Sequence, residues 1–313
     1  MTGIILRRLL SMLPVMGIVA SCVFLLLHLA PGDPAAIIAG DNATVENIAA
    51  IRTKLGLDRP LWQQFVVWIG TMLTGDLGSS MFWGDSVVSL IGQRAEPTLS
   101  LALTTIVLAV TLAIGIGVLA AANAGTWIDR VVMGFSVAGF SVPVFVVGYF
   151  LIFVFAINLK WLPVQGYTPI AEGVLPWLRN LVLPSIALGL AYAALIARIT
   201  RATMLDVLGE DYMRTARAKG VATRPMLFRH AMKNAAVPIA TIIGNGVALL
   251  IGGVVITETV FNIPGIGRLV VDAIARRDYP IIQGVIMLFS GVYVLVNLLV
   301  DLSYTLFDPR IRS

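Results

Sequence analysis

The chain has little charge for its length. Asp, Glu, Lys and Arg make up 12% of its 313 residues, while 58% are apolar. A soluble domain carries roughly 25% charged residues, so the composition excludes an ordinary globular protein and places the chain among integral membrane proteins. Cysteine is nearly absent. Cys22 stands alone, which excludes an intrachain disulfide and a cysteine-built metal site. The two histidines, His28 and His230, fall in segments expected on opposite membrane faces, so they cannot pair on one metal ion. No G-x-x-x-x-G-K-[ST] occurs, and the chain therefore has no P-loop of its own. Nor is there a basic tract with interleaved aromatics that could track a nucleic-acid backbone. The net charge of +5 is better explained by asymmetric membrane loops.

What is present is a series of long apolar runs. A membrane-spanning helix needs about 20 apolar residues, and six runs qualify: 9–30, 98–122, 131–157, 181–197, 236–257 and 281–304. No strand-length alternation recurs, and lipid-exposed backbone must pair within its own segment, so the spans are expected to be helices. Arg7 and Arg8 before the first run could open a signal peptide. The run to Ala30 is longer than a usual signal core and lacks an A-x-A site, so an uncleaved first span is expected. Placing the N-terminus in the cytoplasm puts +8 on the inner side, from Arg7 to Arg312, and −2 on the outer side. The positive-inside rule then predicts that both termini are cytoplasmic.

Two extramembrane segments are large. The first outer loop, about 31–97, opens with Ala30-Pro31-Gly32-Asp33-Pro34, which should stop the first helix at the membrane surface. Asn42-Ala43-Thr44 offers caps for a helix over about 45–55, closed by Gly56. Pro60 opens a second helix, about 60–74, carrying Trp62, Phe65 and Trp68. Tryptophan favours the membrane–water boundary, so this helix either lies on the outer surface or packs on the bundle.

The second segment, about 198–235, is strongly basic and lies between apolar runs. Asp206, Glu210 and Asp211 precede Arg214, Arg217 and Lys219, the order a helix dipole favours. Gly220 supplies a left-handed stop, and Pro225 fits the first turn of a new helix. The spacing predicts a short helix over 206–219, a turn, and a helix returning to the membrane, bent where Pro238 enters the fifth span. An ordinary positive-inside loop is the plain alternative. A helix–Gly–helix unit favours a docking element.

At these residues the chain resembles the ABC importer permeases, in the subgroup that moves dipeptides, oligopeptides, nickel and glutathione. Tyr212 through Gly220, followed by 229–238, looks like the ATPase-contact motif of those permeases. Gly220 and Ala216 match its glycine and second alanine. Arg214 and Thr215 replace its glutamate and first alanine. Leu29 to Pro34, Gly56 to Pro60, Gly75 to Gly78, Thr257-Glu258 with Val260 to Gly267, and Asp308 to Arg312 resemble further subgroup segments in the same order. The stretch 206–221 and Arg277-Asp278-Tyr279-Pro280 are most similar to the glutathione-type member. The resemblance implies an all-α integral membrane protein of the type I importer permease fold, in a bacterial inner membrane. Residues 1–94 would form the first helix and a periplasmic loop, 95–307 the transport core, and 308–313 a cytoplasmic tail. It also implies a sister permease, two cytoplasmic ATPases that hold the ATP and Mg, and a periplasmic or lipid-anchored binding protein. No cofactor is expected on this chain. The ATPase-coupling residues would be Asp211, Tyr212, Arg214, Thr215, Ala216, Arg217, Ala218, Lys219 and Gly220.

Within the membrane, Gly244, Ala248 and Gly252 repeat every four residues on one face of the fifth span. That pattern suits close helix contact, either with the same chain or with the sister permease. Asn245 should face protein or water rather than lipid and is a candidate for lining the path. Glu258 is read either as an outer-gate residue or as a solvated helix end. Asp301 is expected to pair with a basic residue, and Arg198 and Arg201 to snorkel at the cytoplasmic surface. A secondary transporter driven by an ion gradient would show inverted repeats and mid-membrane acids, which are not evident. An intramembrane hydrolase would need a nucleophile–base pair, and Cys22 and His28 lie about 9 Å apart along a helix axis. The cargo, whether peptide, glutathione or nickel chelate, is not legible in this chain.

Overall fold

In a computed structural model of the chain, residues 2–29, 35–36, 44–54 and 56–307 are described, with the side chains of 2–9, 27, 51, 54, 248–249, 301 and 303–307 left aside. The motifs at 30–34 and 308–312, and the side chains of Ala248 and Asp301, therefore lie outside the described part. The described residues are helical, apart from turns and one isolated bridge between Ser79 and Ser86. They form two compact units, Met1–Arg94 with Leu269–Val294, and Ala95–Arg268 with Leu295–Ser313.

The first unit contains α1 (Thr2–Leu29), α2 (Val45–Lys54) and α3 (Leu61–Leu73). Thr44 caps α2 by accepting a hydrogen bond from the Asn47 N–H, and Gly56 ends the segment at φ +67°. Helix α3 packs on α1 through an aromatic cluster in which Phe65 and Trp68 surround Phe24. His28 adds a polar tie, reaching the Phe24 carbonyl and Gln64 Oε1 at 3.2 Å each. One face of α3 thus packs on α1, while Trp62, Val66 and Leu73 remain exposed. Elsewhere in this unit, the fully buried Asp278 accepts hydrogen bonds from the Ser80 hydroxyl and the Met81 N–H. Ser80 Oγ in turn accepts from the Phe82 and Trp83 N–H groups, so one carboxylate organises the whole turn.

Helix α4 (Val87–Ala122) leads into the second unit, which contains α5 (Trp127–Ser141), α6 (Val144–Leu151, continued as a π-helix through Asn158), α7 (Val174–Gly209), α8 (Asp211–Ala218) and α9 (Met232–Val260). Helices α10 (Ile266–Arg276) and α11 (Tyr279–Phe307) follow. By length and composition α4, α7 and Tyr279–Val300 can each cross a membrane, and two bent pairs raise the possible spans to five. In the first expected span the shorter stretch Leu10–Leu26 of α1 is apolar. The stretch expected as one span at 131–157 is instead two helices set at 105°. The cause is Pro143, which disfavours helical backbone at the preceding residue, and Val142 is extended at φ −90°, ψ 126°. Pro238 lies inside α9, and the 48° bend of that segment falls farther along, between Val247 and Leu250.

Helices α7 and α9 form the centre of the second unit. Leu181, Leu188, Tyr192 and Ile196 pack with Leu250, Val254 and Phe261 in one apolar core. Close approach is bought with glycine: a Cβ on Gly246 would lie 1.8 Å from the Tyr192 ring, and one on Gly117 2.7 Å from the Ala197 carbonyl oxygen.

Candidate coupling site

The polar segment is built from the end of α7 outward. Helix α7 runs to Gly209, so 206–209 continue it rather than opening a new helix as the charge order suggested. Met204, Leu205, Val207 and Leu208 explain this, since they carry the buried face of α7 into a second apolar cluster. Glu210 then breaks the helix with extended backbone (φ −65°, ψ 148°), and its carbonyl accepts the Met213 and Arg214 N–H groups that start α8. Asp211 stands in the first turn and Arg217 in the last, each favourable to the helix dipole.

The far end of α8 closes as read from the sequence. Gly220 is left-handed at φ +78°. The Val221 N–H donates to the Ala216 carbonyl and the Gly220 N–H to the Arg217 carbonyl. These are the two bonds of a Schellman stop. The chain then re-enters a helix at Thr223–Pro225 and passes through a π-helical stretch, Met226–Ala231, into α9.

One side chain fastens α8 to this frame. Met213 is 1% exposed and lies in one apolar cluster with Met204, Met226, Leu227 and Ala231, and with Val118 and Ala121 of α4. Burying such a side chain is worth about 1.5–3 kcal/mol. Tyr212 remains partly exposed while its hydroxyl accepts a hydrogen bond from Asn234 Nδ2. Arg214, Thr215, Arg217, Ala218, Lys219 and Gly220 are all exposed, Asp211 is exposed, and Ala216 is half-buried. The structure therefore presents the sequence-predicted residues as one outward surface on a short helix. Met213 was absent from that set. Its signal was weak, being the one long aliphatic side chain in an octapeptide whose other apolar residues are Tyr212, Ala216 and Ala218.

A second tie lies near this end of α7. Asp129 of α5 is buried and receives both Arg201 Nε and Arg201 Nη2, together with the Gly125 N–H at 3.0 Å. Arg201 is thus paired across two helices rather than snorkelling, while Arg198 is exposed. A fork-shaped guanidinium matches a carboxylate at two points, which fixes geometry as well as charge.

The membrane candidates separate. Gly244 is buried against Val300, where a Cβ would come within 2.0 Å of Cγ2, so its close contact is within this chain. Gly252 is exposed with nothing within 4 Å of a built Cβ, and Asn245 is exposed as well. Glu258 is not a solvated helix end. It is fully buried and accepts a hydrogen bond from the Thr98 hydroxyl at 2.6 Å.

Comparison with known proteins places the whole chain. Residues 113–313 match the family described as binding-protein-dependent transport system inner membrane component, and 1–102 match its N-terminal counterpart. A probable peptide ABC transporter permease protein, y4tP of Sinorhizobium fredii, is 60% identical over 308 residues, covering 98% of each chain. The glutathione transport system permease protein GsiC of Escherichia coli is 44% identical over 312 residues, covering 100% of this chain and 99% of that one. Among solved structures, a chain of the MetNI methionine ABC transporter in inward-facing conformations aligns with a TM-score of 0.58 at 15% identity, over 71% of this chain and 97% of that one. At that identity the likeness concerns the fold.

Proposed function

This chain belongs to the binding-protein-dependent transport system inner membrane components, and from that premise we propose that it pairs with a sister permease and two ATPases to import peptides or glutathione by alternating access. It is a multi-pass inner-membrane permease of an ABC importer, working with ATP-hydrolysing and solute-binding components. The cargo class follows the names of the peptide and glutathione permeases it resembles along its whole length. ATP and Mg sit on the partner subunits in this reading, and none is assigned to this chain.

The observation that carries the coupling assignment is the construction of α8. Its outward face is polar and unburied, while Met213, its one fully buried side chain, roots it in the core that joins α4, α7 and the start of α9. A push on α8 therefore acts on α7 and α9 together. Asp211, Tyr212, Arg214, Thr215, Ala216, Arg217, Ala218, Lys219 and Gly220 form the proposed ATPase-contact surface. Asn245 and Gly252, exposed on either side of the bend in α9, are the proposed path or sister-facing positions.

Single cysteines at Thr215 and Lys219 in a Cys22→Ser background test this. Crosslinks should capture the ATPase in a nucleotide-dependent manner, and Gly220→Val should abolish uptake while the purified ATPase keeps its basal rate. Absence of any such crosslink in every nucleotide state removes the coupling assignment. Uptake in ATP-free vesicles on an ion gradient removes the importer reading.

A further inference from the structure

At the far end of α9 from the coupling loop, about 40 Å along the helix at 1.5 Å per residue, a single carboxylate holds three elements together. Glu258 is 0% exposed. The Thr98 hydroxyl of α4 donates to Oε1 at 2.6 Å, and the Arg268 N–H of α10 donates to Oε2 at 2.9 Å. Thr98 Oγ1 in turn accepts the Ile266 N–H at 2.8 Å. Two of the N–H groups that α10 cannot pair within itself are thus satisfied by side chains from two other helices. The Glu258 carbonyl also accepts the Ile263 N–H, closing the turn that follows α9.

The turn is shaped around this group. A Cβ at Gly265 would lie 2.1 Å from Oε1, and one at Gly267 would lie 2.7 Å from the Val255 Cα. Both glycines therefore let backbone press directly on the carboxylate and its helix. The same knot is closed on its other side, where the Phe261 carbonyl accepts the Gly166 N–H and Phe261 packs on Gly148. Burying a carboxylate is costly unless donors surround it. A cap on α10 alone could have come from a local Ser or Asp. Drawing it from α9, with Thr98 of α4 as relay, makes the first turn of α10 inseparable from both helices.

We propose that Glu258 is a positioning residue of the transport cycle, which with Thr98 clamps the first turn of α10 to α4 and α9 so that these ends move as one piece when α9 is displaced. This rests on the importer reading above, in which motion enters at α8 and leaves through α7 and α9. The residue touches no cargo. Its role is to keep the displacement from being lost at the end of the lever.

The test uses the assembled transporter with its sister permease and ATPases. Amide exchange at 264–269 is followed in the nucleotide-free and vanadate-trapped states, beside uptake of glutathione and of a dipeptide mixture into proteoliposomes. Wild type should stay protected in both states. Thr98→Val should exchange at least tenfold faster in the trapped state, and its uptake per ATP hydrolysed should fall at least threefold, with KM and basal ATP hydrolysis unchanged. Thr98→Ser, which keeps the hydroxyl, should restore both. Glu258→Ala should be the more severe, and Glu258→Asp, one methylene short of its donors, should not rescue it. If Glu258→Ala fails to assemble, the Val/Ser pair at Thr98 decides. Equal behaviour of that pair, or losses of uptake and basal hydrolysis in the same proportion, overturns the clamp. A wild type that carries neither probe refutes the cargo reading instead, and the exchange data then judge the clamp on their own.

Discussion

Removing the Met213 side chain is the most direct probe of how α8 is held. The helix has eight residues, far below the length at which an isolated helix is stable in water. Its position therefore depends on tertiary contact, and Met213 is its one fully buried side chain. Truncating a buried Met to Ala costs about 2–5 kcal/mol, the removed transfer energy plus the cavity left behind. At about 1.4 kcal/mol per decade, the lower bound raises the undocked population of α8 roughly 30-fold. Leucine, nearly equal in volume, should cost less than about 1.5 kcal/mol. Hydrogen exchange of the 213–221 amides in the assembled transporter reads this directly. Met213→Ala should exchange some 30-fold faster or more, with α7 up to Thr200 unchanged, and Met213→Leu should stay within about tenfold of wild type. Uptake should fall for the alanine variant while the ATPase subunits alone hydrolyse ATP normally. Unaltered protection of 213–221 in Met213→Ala would refute the single-anchor account.

Other substitutions test separate parts of the fold. Asp129→Ala leaves Arg201 without its carboxylate and should lower the thermal unfolding midpoint in detergent, with a double-mutant cycle assigning the coupling to Arg201. Gly246→Ala should be poorly tolerated because its Cβ meets the Tyr192 ring at 1.8 Å, whereas Gly252→Ala, with nothing within 4 Å, should be neutral by the same measurement. Gly220→Ala should cost roughly 1–2 kcal/mol from left-handed strain and show faster exchange confined to the C-terminal turn of α8. Asp278→Ala should free the Ser80–Trp83 turn, detected as new protease cleavage near residues 80–83, since the carboxylate that accepts from Ser80 and Met81 is lost.

Features governed by local backbone chemistry were legible in the sequence. Gly220, Gly56 and Thr44 do what a left-handed stop or a cap requires of the residue type, and neighbours within four positions decide the outcome. Among the described residues the apolar stretches fall in helix, except where 131–157 breaks at Val142 and Pro143. What was not legible depends on partners remote in the chain. Arg201 reads as a surface cation until Asp129, 72 residues away, is brought against it. Glu258 reads as a solvated end until Thr98, 160 residues away, supplies its donor. Met213 has only the small Ala216 at helical spacing within α8, and the rest of its apolar cluster comes from α4, α7 and the segment leading into α9. The extension of α7 to Gly209 has the same origin, since tertiary packing of Val207 and Leu208 outweighs the dipole preference of Asp206. The break at Pro143 could have been read locally, and hydropathy counting passed over it.

The extended backbone at Glu210 separates α7 from α8 by one non-helical residue. In the proposed coupling, force from a motor would enter through an articulated knuckle rather than along a continuous rod. Inward, the knuckle is constrained by a methionine and a glycine. Outward, its side chains are largely exposed, and the Tyr212–Asn234 bond ties them to α9. In the proposed coupling, the external lettering could be rewritten to fit a different engine without repacking the machinery behind it.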